Sequence, residues 1–343
     1  MSKTVKNKPD GMNHPNKMTK KEIAAVCGVS RITLDRVLKN QPGVGDDKRA
    51  EILAFLEKNG YRENKLAQAL VRGKSRSFGM IVFDLNNSFY AQLVNAFQQA
   101  AQKADYVSYI MLSNKDPGRE KALLEDLLSR RVEGIVLNSV VNAPDYGAYL
   151  RAQDTPILSV MNRVGGDVPF LGFDERASMR ELVRFALDKG YRRFYYVCPP
   201  LARAGSSNMD SLVRRKQGFD DEMMRRPDAE FTILGDGGYL DTLSRVDFSG
   251  EERICILCTS DIYAVEIHRV LLQRGLEAPR DYAIAGYDNI PLLHSFQPCM
   301  TTVSLRISEL GATAARLLVE AAGGKTLPEN TLMPHTLLKM DTL

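Results

Sequence analysis

From residue 77 onward, short apolar runs alternate with longer amphipathic segments, and this alternation limits the fold more than any other feature of the sequence. Because each run is almost continuously apolar, both faces of each predicted strand should be covered, which is typical of parallel sheets flanked by helices. The sequence therefore predicts an α/β body with two groups of strands. The predicted strands are 78–85, 107–112, 134–137, 156–161, 170–173, 194–198, 231–234, 254–258 and 282–285.

The segments between these strands have the apolar spacing of helices, and several of them end at a glycine, as at Lys189-Gly190 and Arg274-Gly275. Ligands of parallel sheets bind beyond the carboxyl ends of the strands, so those ends are the expected place for a site. The predicted helices are 89–103, 119–130, 177–189, 211–224, 262–274 and 307–322.

Positive charge is concentrated at the amino-terminal end of the chain. Residues 1–76 contain 17 Lys and Arg against 8 Asp and Glu, a net charge of +9, whereas the remainder contains 29 against 34, a net charge of −5. A basic segment of this kind is typical of a surface that meets a polyanion, although a solvated tail would carry the same charge. The pattern inside the segment favours the first interpretation.

Three short helices are predicted inside the basic segment. Thr19 begins a capping-box pattern, and Gly28 ends the helix that follows it. Ser30 has the N-cap position of a second helix over 31–39, and a third helix is predicted over 46–58. Two helices joined by a tight turn at a glycine make a helix-turn-helix, whose second helix fits the major groove of DNA.

Residues 18–74 resemble the DNA-binding head of the LacI/GalR family of bacterial transcription regulators. The resemblance rests on the run MTKKEIAAVCGVSRITLDRVLKNQPGV, on the third helix and on the run GYRENKLAQALVRGKS. The body resembles the two-lobed, periplasmic-binding-protein-like core of the same family. The resemblance implies a flexible basic tail over 1–16, a helix-turn-helix domain over 17–63, a hinge helix and linker over 64–77, and an effector-binding and dimerisation core over 78–343.

The resemblance also implies that the chain crosses between two lobes of the core, with an effector in the cleft between them. The first lobe would comprise about 78–173 and 303–325, and the second about 174–298 and 328–343. On this assignment, the strand at 301–305 returns the chain to the first lobe, and the segment 332–340 lies in the second.

Two groups of DNA-contacting residues follow from the resemblance. Helix starts and basic side chains of the head would hold phosphates, and the first turns of the second helix would read base edges in the major groove. In the hinge, a leucine wedges into the minor groove, and the cost of unstacking is repaid by wider contact; a plain linker is the alternative. The implied DNA-binding residues are Thr19, Ser30, Arg31, Ile32, Thr33, Arg36, Leu66, Ala67 and Leu70.

Asp35 departs from the family pattern, because a small polar residue is common at its position. A carboxylate that faces phosphates lowers the affinity for DNA unless it accepts a hydrogen bond from a cytosine amino group. The departure affects which bases are read more than whether DNA is bound.

Strand ends supply the candidate effector-binding residues. Arg215 begins an Arg-x-x-Gly-Phe motif, in which the family's arginine holds the ligand by forked hydrogen bonds, and Asp288 ends a Gly-Tyr-Asp motif. A surface charge and a helix N-cap are the respective alternatives. Sugars, sugar phosphates and nucleosides all fit, and a chain without Trp must stack on Phe or Tyr. The candidates are Asp84, Phe89, Tyr90, Asp174, Arg215, Ser260 and Asp288.

Other classes of protein are disfavoured. No stretch approaches the ~18 apolar residues of a membrane span. The start lacks a secretory signal, and five cysteines fit reduced thiols, so we expect a cytoplasmic protein. Cys255 and Cys258 lie in an apolar predicted strand, where residues three apart face opposite sides, so no redox or zinc site is expected. The four histidines show no metal spacing, and no cofactor is expected.

The leading hypothesis is an effector-responsive transcription regulator, not an enzyme, that acts as a repressor. It would bind a pseudo-palindromic operator as a homodimer, and the missing leucine heptad at the end of the chain favours a dimer over a tetramer. One alternative is a cytoplasmic small-molecule-binding or sugar-processing protein with an incidental basic head. Another is a solute-binding transport protein, against which the predicted helix-turn-helix argues.

Overall fold

The structure, a computed structural model, describes residues 18–61, 73–199, 207–250 and 252–343. It divides into two compact units, with the boundary between Gly73 and Lys74. The predicted tail at 1–16 lies outside the described residues, as do the hinge residues Leu66, Ala67 and Leu70.

The first unit contains three helices over its described residues, as the sequence predicts: α1 (Lys20–Val26), α2 (Arg31–Leu38) and α3 (Asp46–Lys58). A small apolar cluster holds them together, and Ile23, Leu34 and Ile52 contribute one fully buried side chain from each helix. In this unit the N-terminal head is therefore a compact helix-turn-helix followed by a third helix.

The second unit is built on two six-stranded sheets. Its strands are β1 (Ser77–Val82), β2 (Val107–Leu112), β3 (Ile135–Leu137), β4 (Ile157–Val160), β5 (Phe170–Phe173), β6 (Arg193–Val197), β7 (Glu230–Leu234), β8 (Ile254–Cys258), β9 (Tyr282–Asp288), β10 (Thr301–Ser304), β11 (Asn330–Met333) and β12 (Thr336–Leu338). The first sheet has the order β11-β5-β4-β3-β1-β2, and the second has the order β12-β10-β9-β8-β6-β7. All pairings are parallel except that of β10 with β12.

Helices connect the strands and cover the sheets. They are α4 (Ser88–Lys103), α5 (Pro117–Ser129), α6 (Pro144–Arg151), α7 (Glu175–Asp188), α8 (Asp210–Met223), α9 (Tyr239–Ser244), α10 (Asp261–Gln273) and α11 (Ile307–Ala322). The predicted two-lobed α/β architecture is confirmed, and six of the twelve described strands are buried along their whole length, as expected for parallel sheets between layers of helices. No helix of the described residues has the length and apolarity that a bilayer span requires.

The predicted lobe boundaries near the end of the chain are wrong. β10 does not return the chain to the first lobe, because it pairs with β9 in the second sheet. β11 does not belong to the second lobe, because it pairs with β5 in the first sheet. The predicted lobe 1 segment 303–325 and lobe 2 segment 328–343 therefore each begin too early. An apolar run predicts a strand but not its sheet, since that choice depends on pairing partners distant in sequence.

Three short connections join the lobes. The chain crosses at Asp174, at Leu305-Arg306 and at Pro334-His335, and β12 then completes the second sheet. At the second crossing, Arg306 adopts a left-handed backbone with φ of 45°. Beyond it, α11 packs closely on α4. The approach is so close at Gly311 that a Cβ there would lie 2.6 Å from the Leu93 carbonyl oxygen, so this position requires glycine. Helix 307–322 therefore packs against the first lobe.

Candidate functional site

Two helix starts in the first unit are capped by side-chain hydroxyls. The Thr19 hydroxyl accepts a hydrogen bond from the Glu22 amide at 3.3 Å, and the Glu22 carboxylate accepts from the Thr19 amide at 2.7 Å. The Ser30 hydroxyl accepts from the Thr33 amide at 3.0 Å. Each cap satisfies an amide that the helix itself cannot pair, so both helices begin at a defined residue.

The two faces of α2 differ sharply. Leu34 and Val37 are buried in the small core of the head. Arg31 and Arg36 are exposed, and Ile32 is 67% exposed, which is unusual for a large aliphatic side chain in so small a unit. The exposed side of α2 therefore offers one cation and one apolar side chain in the first turn, Arg31 and Ile32, and a second cation, Arg36, in the last turn.

The unusual Asp35 is half-exposed and forms an ion pair within the head. Its carboxylate lies 2.7 Å from Lys20 Nζ. The hydrogen bond from Lys20 lowers the pKa of Asp35, so the side chain is an anion in the folded head. The ion pair ties α1 to α2 and partly offsets the negative charge that would otherwise face a phosphate.

In the second unit, a cavity of about 770 Å³ lies between the two lobes. Its lining comes from the carboxyl ends of parallel strands, as the sequence predicts: Asp84 follows β1, Ser260 follows β8 and Asp288 ends β9. Aromatic, amide and hydroxyl side chains share this lining with a few charged groups. Such a lining suits a small molecule with several polar groups and one or more apolar faces.

Arg215, on α8, lies at the inner end of the cavity and is only 4% exposed. Its Nε donates to Glu175 Oε2 at 2.8 Å, and its Nη2 donates to Glu175 Oε1 at 3.3 Å. Its Nη1 donates to the Thr259 carbonyl oxygen at 2.6 Å and lies 3.5 Å from Asp288 Oδ1. The guanidinium also stacks on the Tyr287 ring, with 3.7 Å between Cζ and the centroid.

The pKa of the Arg215 guanidinium follows from this environment. Burial alone would lower that pKa, but the Glu175 carboxylate, with Tyr287 and Asp288, raises it well above its usual value. Tyr287 in turn donates to Glu175 Oε2 at 2.6 Å and hydrogen-bonds Ser178. The result is a buried network in which Glu175 is the central acceptor.

Asp288 has a strained backbone at the cavity. Its φ of 114° lies in a region that side-chain-bearing residues rarely adopt, and such strain is retained where the surroundings fix the residue. Ser260 Oγ donates to Asp288 Oδ2 at 3.1 Å. Burial raises the pKa of Asp288 to about 8, although Arg215 opposes the shift. At neutral pH this carboxyl group can therefore both donate and accept hydrogen bonds.

Asp261 supports the strand that carries Asp288. Its carboxylate accepts from Thr302 Oγ1 at 2.6 Å and from the Ile290 amide at 2.8 Å, and burial raises its pKa to about 6. A Cβ at Gly286 would lie 2.1 Å from Asp261 Oδ1, so the Gly-Tyr-Asp motif requires glycine at its first position.

Asparagines join the lobes beside the cavity. The Asn208 amide donates to the Val140 carbonyl at 2.8 Å, and Asn208 Nδ2 donates to the Arg163 carbonyl at 2.8 Å. From the other side, Asn162 Oδ1 accepts from Ser211 Oγ at 2.9 Å. These hydrogen bonds cross between the lobes at the edge of the cavity, so they hold its two walls together.

Two family models match the second unit. One, described as "Periplasmic binding proteins and sugar binding domain of LacI family", matches residues 75–230, and the other, "Periplasmic binding protein-like domain", matches residues 183–342. The HTH-type transcriptional regulator MalR of Streptomyces coelicolor is 29% identical over 339 residues, which are 94% of this chain and 95% of the relative. Catabolite control protein A of Priestia megaterium is 26% identical over 321 residues, 92% of this chain and 96% of the relative.

The chain belongs to the LacI/GalR family of transcription regulators. Solved structures share its fold. The lac repressor dimer bound to operator and the anti-inducer ONPF has a TM-score of 0.81 at 23% identity, and the match covers 95% of this chain and 98% of that one. The complex of the transcriptional regulator CelR with cellobiose has a TM-score of 0.65 at 22% identity, covering 95% of this chain and 100% of that one.

In this LacI/GalR chain, the structure brings six of the seven candidate effector-binding residues to one cavity. They are Asp84, Phe89, Tyr90, Arg215, Ser260 and Asp288. Phe89 is nearly buried and still lines the cavity beside Tyr90, so the two aromatic side chains share the wall. Asp174 does not line it: its carboxylate caps α7 by accepting from the Ala177 amide at 2.9 Å.

Glu175, Asn162 and Asn208 were not among the residues predicted from the sequence. A signal for Glu175 was present, because it falls on the buried stripe of α7 together with Ser178, Met179 and Leu182. A carboxylate on the apolar face of an amphipathic helix requires a buried partner. The two asparagines follow no comparable pattern, since their partners are backbone groups of the opposite lobe.

Proposed function

We propose that this regulator binds a pseudo-palindromic operator as a homodimer, one head for each half-site, and that it represses transcription. The observation that carries the proposal is the exposed face of α2, on which Arg31 and Ile32 in the first turn and Arg36 in the last turn stand clear of the core. Side chains at the start of such a helix reach base edges in the major groove. The starts of α1 and α2, capped by Thr19 and Ser30, would hold phosphates.

We also propose that a small sugar-like or nucleoside-like metabolite binds in the cavity between the lobes. Asp288 and Ser260 would hydrogen-bond its hydroxyls, and Phe89 and Tyr90 would contact an apolar face. Because both lobes contribute to the lining, the bound molecule would favour one arrangement of the lobes. A coupling free energy of about 1–3 kcal/mol between the two sites would then alter operator affinity.

The cavity is proposed as a binding site and not as a catalytic centre, and the protein as one that acts in the cytoplasm, where operator DNA is accessible. The support is that the full-length relatives of the chain carry the names of transcription regulators. The solved CelR complex, which has this fold, is described as holding cellobiose.

The test is binding of the full-length protein to fragments of its own genome at physiological salt, measured by gel shift with competitor DNA. We expect one or a few fragments to shift at concentrations at which the rest do not, and to contain a pseudo-palindrome. Equal, salt-sensitive binding to every fragment would reject the proposal. A thermal-shift panel of sugars and nucleosides, followed by the same gel shift with each hit, then tests the effector.

A further inference from the structure

The forked face of Arg215 is directed at a buried carboxylate. Arginine binds a phosphate or carboxylate most strongly through two parallel N–H groups, and in this cavity Nε and Nη2 are already directed at Glu175. Glu175 is 2% exposed and cannot turn towards solvent without breaking both bonds. An anionic group in the cavity would therefore compete with a buried carboxylate for the same two donors.

The remaining edge of the guanidinium is also constrained. Nη1 donates to the Thr259 carbonyl oxygen at 2.6 Å and lies 3.5 Å from Asp288 Oδ1. One face of the group is covered by the Tyr287 ring. A ligand thus meets Arg215 at an edge that Asp288 shares, and a hydroxyl group suits that edge because it can both donate to and accept from the Asp288 carboxyl group.

The charges around the cavity point the same way. Asp84, Asp236 and Asp288 line it, and among the described lining residues Lys115 is the cation other than Arg215. The Lys115 side chain is 65% exposed and lies 3.8 Å from Asp84 Oδ2, so it adds little positive charge to the inner end. With the Arg215 charge balanced by Glu175, the described lining residues leave the inner end without an uncompensated cation.

We propose that Glu175 sets the charge class of the effector: by occupying the forked face of Arg215, it excludes phosphorylated and carboxylated molecules and leaves the cavity to uncharged or cationic polyhydroxyl compounds. The inference rests on the proposed binding of an effector in this cavity. Glu175 acts through Arg215, so it is a specificity-determining residue that need not touch the ligand. Removing its charge should convert the inner end into an anion site.

Inorganic phosphate is a probe that needs no knowledge of the effector. Binding is measured by calorimetric titration of phosphate into the full-length protein at constant ionic strength. In Glu175→Gln, the amide keeps the side-chain shape but frees one N–H of the fork and the full charge of Arg215. We expect phosphate to bind this variant about tenfold or more tightly than the unmodified protein, the scale of one charge-assisted hydrogen bond.

Two further variants isolate the cavity. Asp188→Asn removes one negative charge from the exposed far end of the same helix and keeps the basic head, so it should bind phosphate no better than the unmodified protein. Glu175→Gln combined with Arg215→Gln removes both partners, which leaves no uncompensated buried charge, and it should lose the gained phosphate affinity.

Two results would overturn the proposal. The first is that Glu175→Gln gains no phosphate affinity over Asp188→Asn. The second is that the unmodified protein binds phosphate more tightly than the double variant, because its Arg215 would then already accept an anion. The second comparison decides the matter even if Glu175→Gln does not fold. Neither result involves DNA, so operator binding and effector response can succeed or fail independently.

Discussion

The predicted DNA-binding surface of the head and the cavity of the core present their functional side chains in opposite ways. On α2, Arg31 and Arg36 are exposed and lie outside the small apolar core. In the core, Arg215 and Asp288 are 4% and 8% exposed and belong to one network with Glu175. On the proposed function, the head would therefore separate recognition from stability, whereas in the cavity the same side chains would serve both.

The largest effect should follow from Arg215→Ala. It leaves Glu175 buried without its cation, so the free energy of unfolding of the core should fall by about 3–5 kcal/mol. Urea denaturation measures the loss. The control is Arg214→Ala at the preceding position, where a partly exposed ion pair with Asp210 should contribute less than about 1 kcal/mol. If both variants lost the same free energy of unfolding, the buried network around Arg215 would not stabilise the core more than an exposed ion pair does.

The next effect should be a pH dependence of the free energy of unfolding that arises from Asp288. Its pKa is 3.8 unfolded and about 8 folded, so the folded core holds a proton that the unfolded chain releases. Stability should therefore fall as pH rises, at most by about 1.4 kcal/mol for each unit. Between about pH 6 and 8 the slope should belong mainly to Asp288, since the pKa of Asp261 is about 6.

Asp288→Asn tests this assignment, because the amide does not ionise. Thermal unfolding of the ligand-free protein should then show a flatter pH dependence of stability between pH 6 and 8 than the unmodified protein. An undiminished slope would assign the proton to another group and remove Asp288 from the coupled network.

In the head, Arg36→Ala should weaken binding to the specific operator by about 1–3 kcal/mol and leave core stability unchanged. Fluorescence anisotropy with the operator fragment gives the affinity. Lys58→Ala, at the exposed end of α3, removes the same charge from another helix and should cost less. If both variants lose the same affinity, only the net charge of the head matters.

The smallest effect should come from Ser30→Ala, which removes the N-cap of α2 and should destabilise the head by about 1 kcal/mol. Thermal unfolding of the head, followed by circular dichroism, reports the change. Ser30→Asn keeps a capping acceptor and should restore most of the stability. A loss shared by both variants would mean that Ser30 contributes through something other than its cap.

The same contrast explains what the sequence could predict. The helices of the head follow from signals within a few residues of one another, such as the capping box at Thr19 and Glu22 and the stop at Gly28. The strands of the core follow from their apolar runs. Which sheet receives β10 or β11 depends on pairing over long separations, and no local pattern carries that information.

The sequence predicted several of the residues that line the cavity, but it did not predict the hydrogen bonds that connect them. Motifs brought Arg215 and Asp288 to notice, yet they gave no reason to expect the fork of Arg215 to be directed at Glu175, which is 40 residues away. The resemblance indicated Asp174 as an effector-binding residue. In the structure Asp174 caps α7, and the next residue, Glu175, is the one that points into the buried network. One residue along a helix rotates a side chain by about 100°, so only the packed structure decides between adjacent carboxylates.

The strand order has a consequence for biosynthesis. Each sheet receives an edge strand from the final stretch of the chain, β11 in one lobe and β12 in the other. While the protein emerges from the ribosome, β5 and β10 therefore keep unpaired edges until residues 330–338 have been translated. A frameshift or stop codon before residue 330 would remove the edge strand of both sheets at once. The truncated protein would then expose two unpaired strand edges that are prone to aggregate.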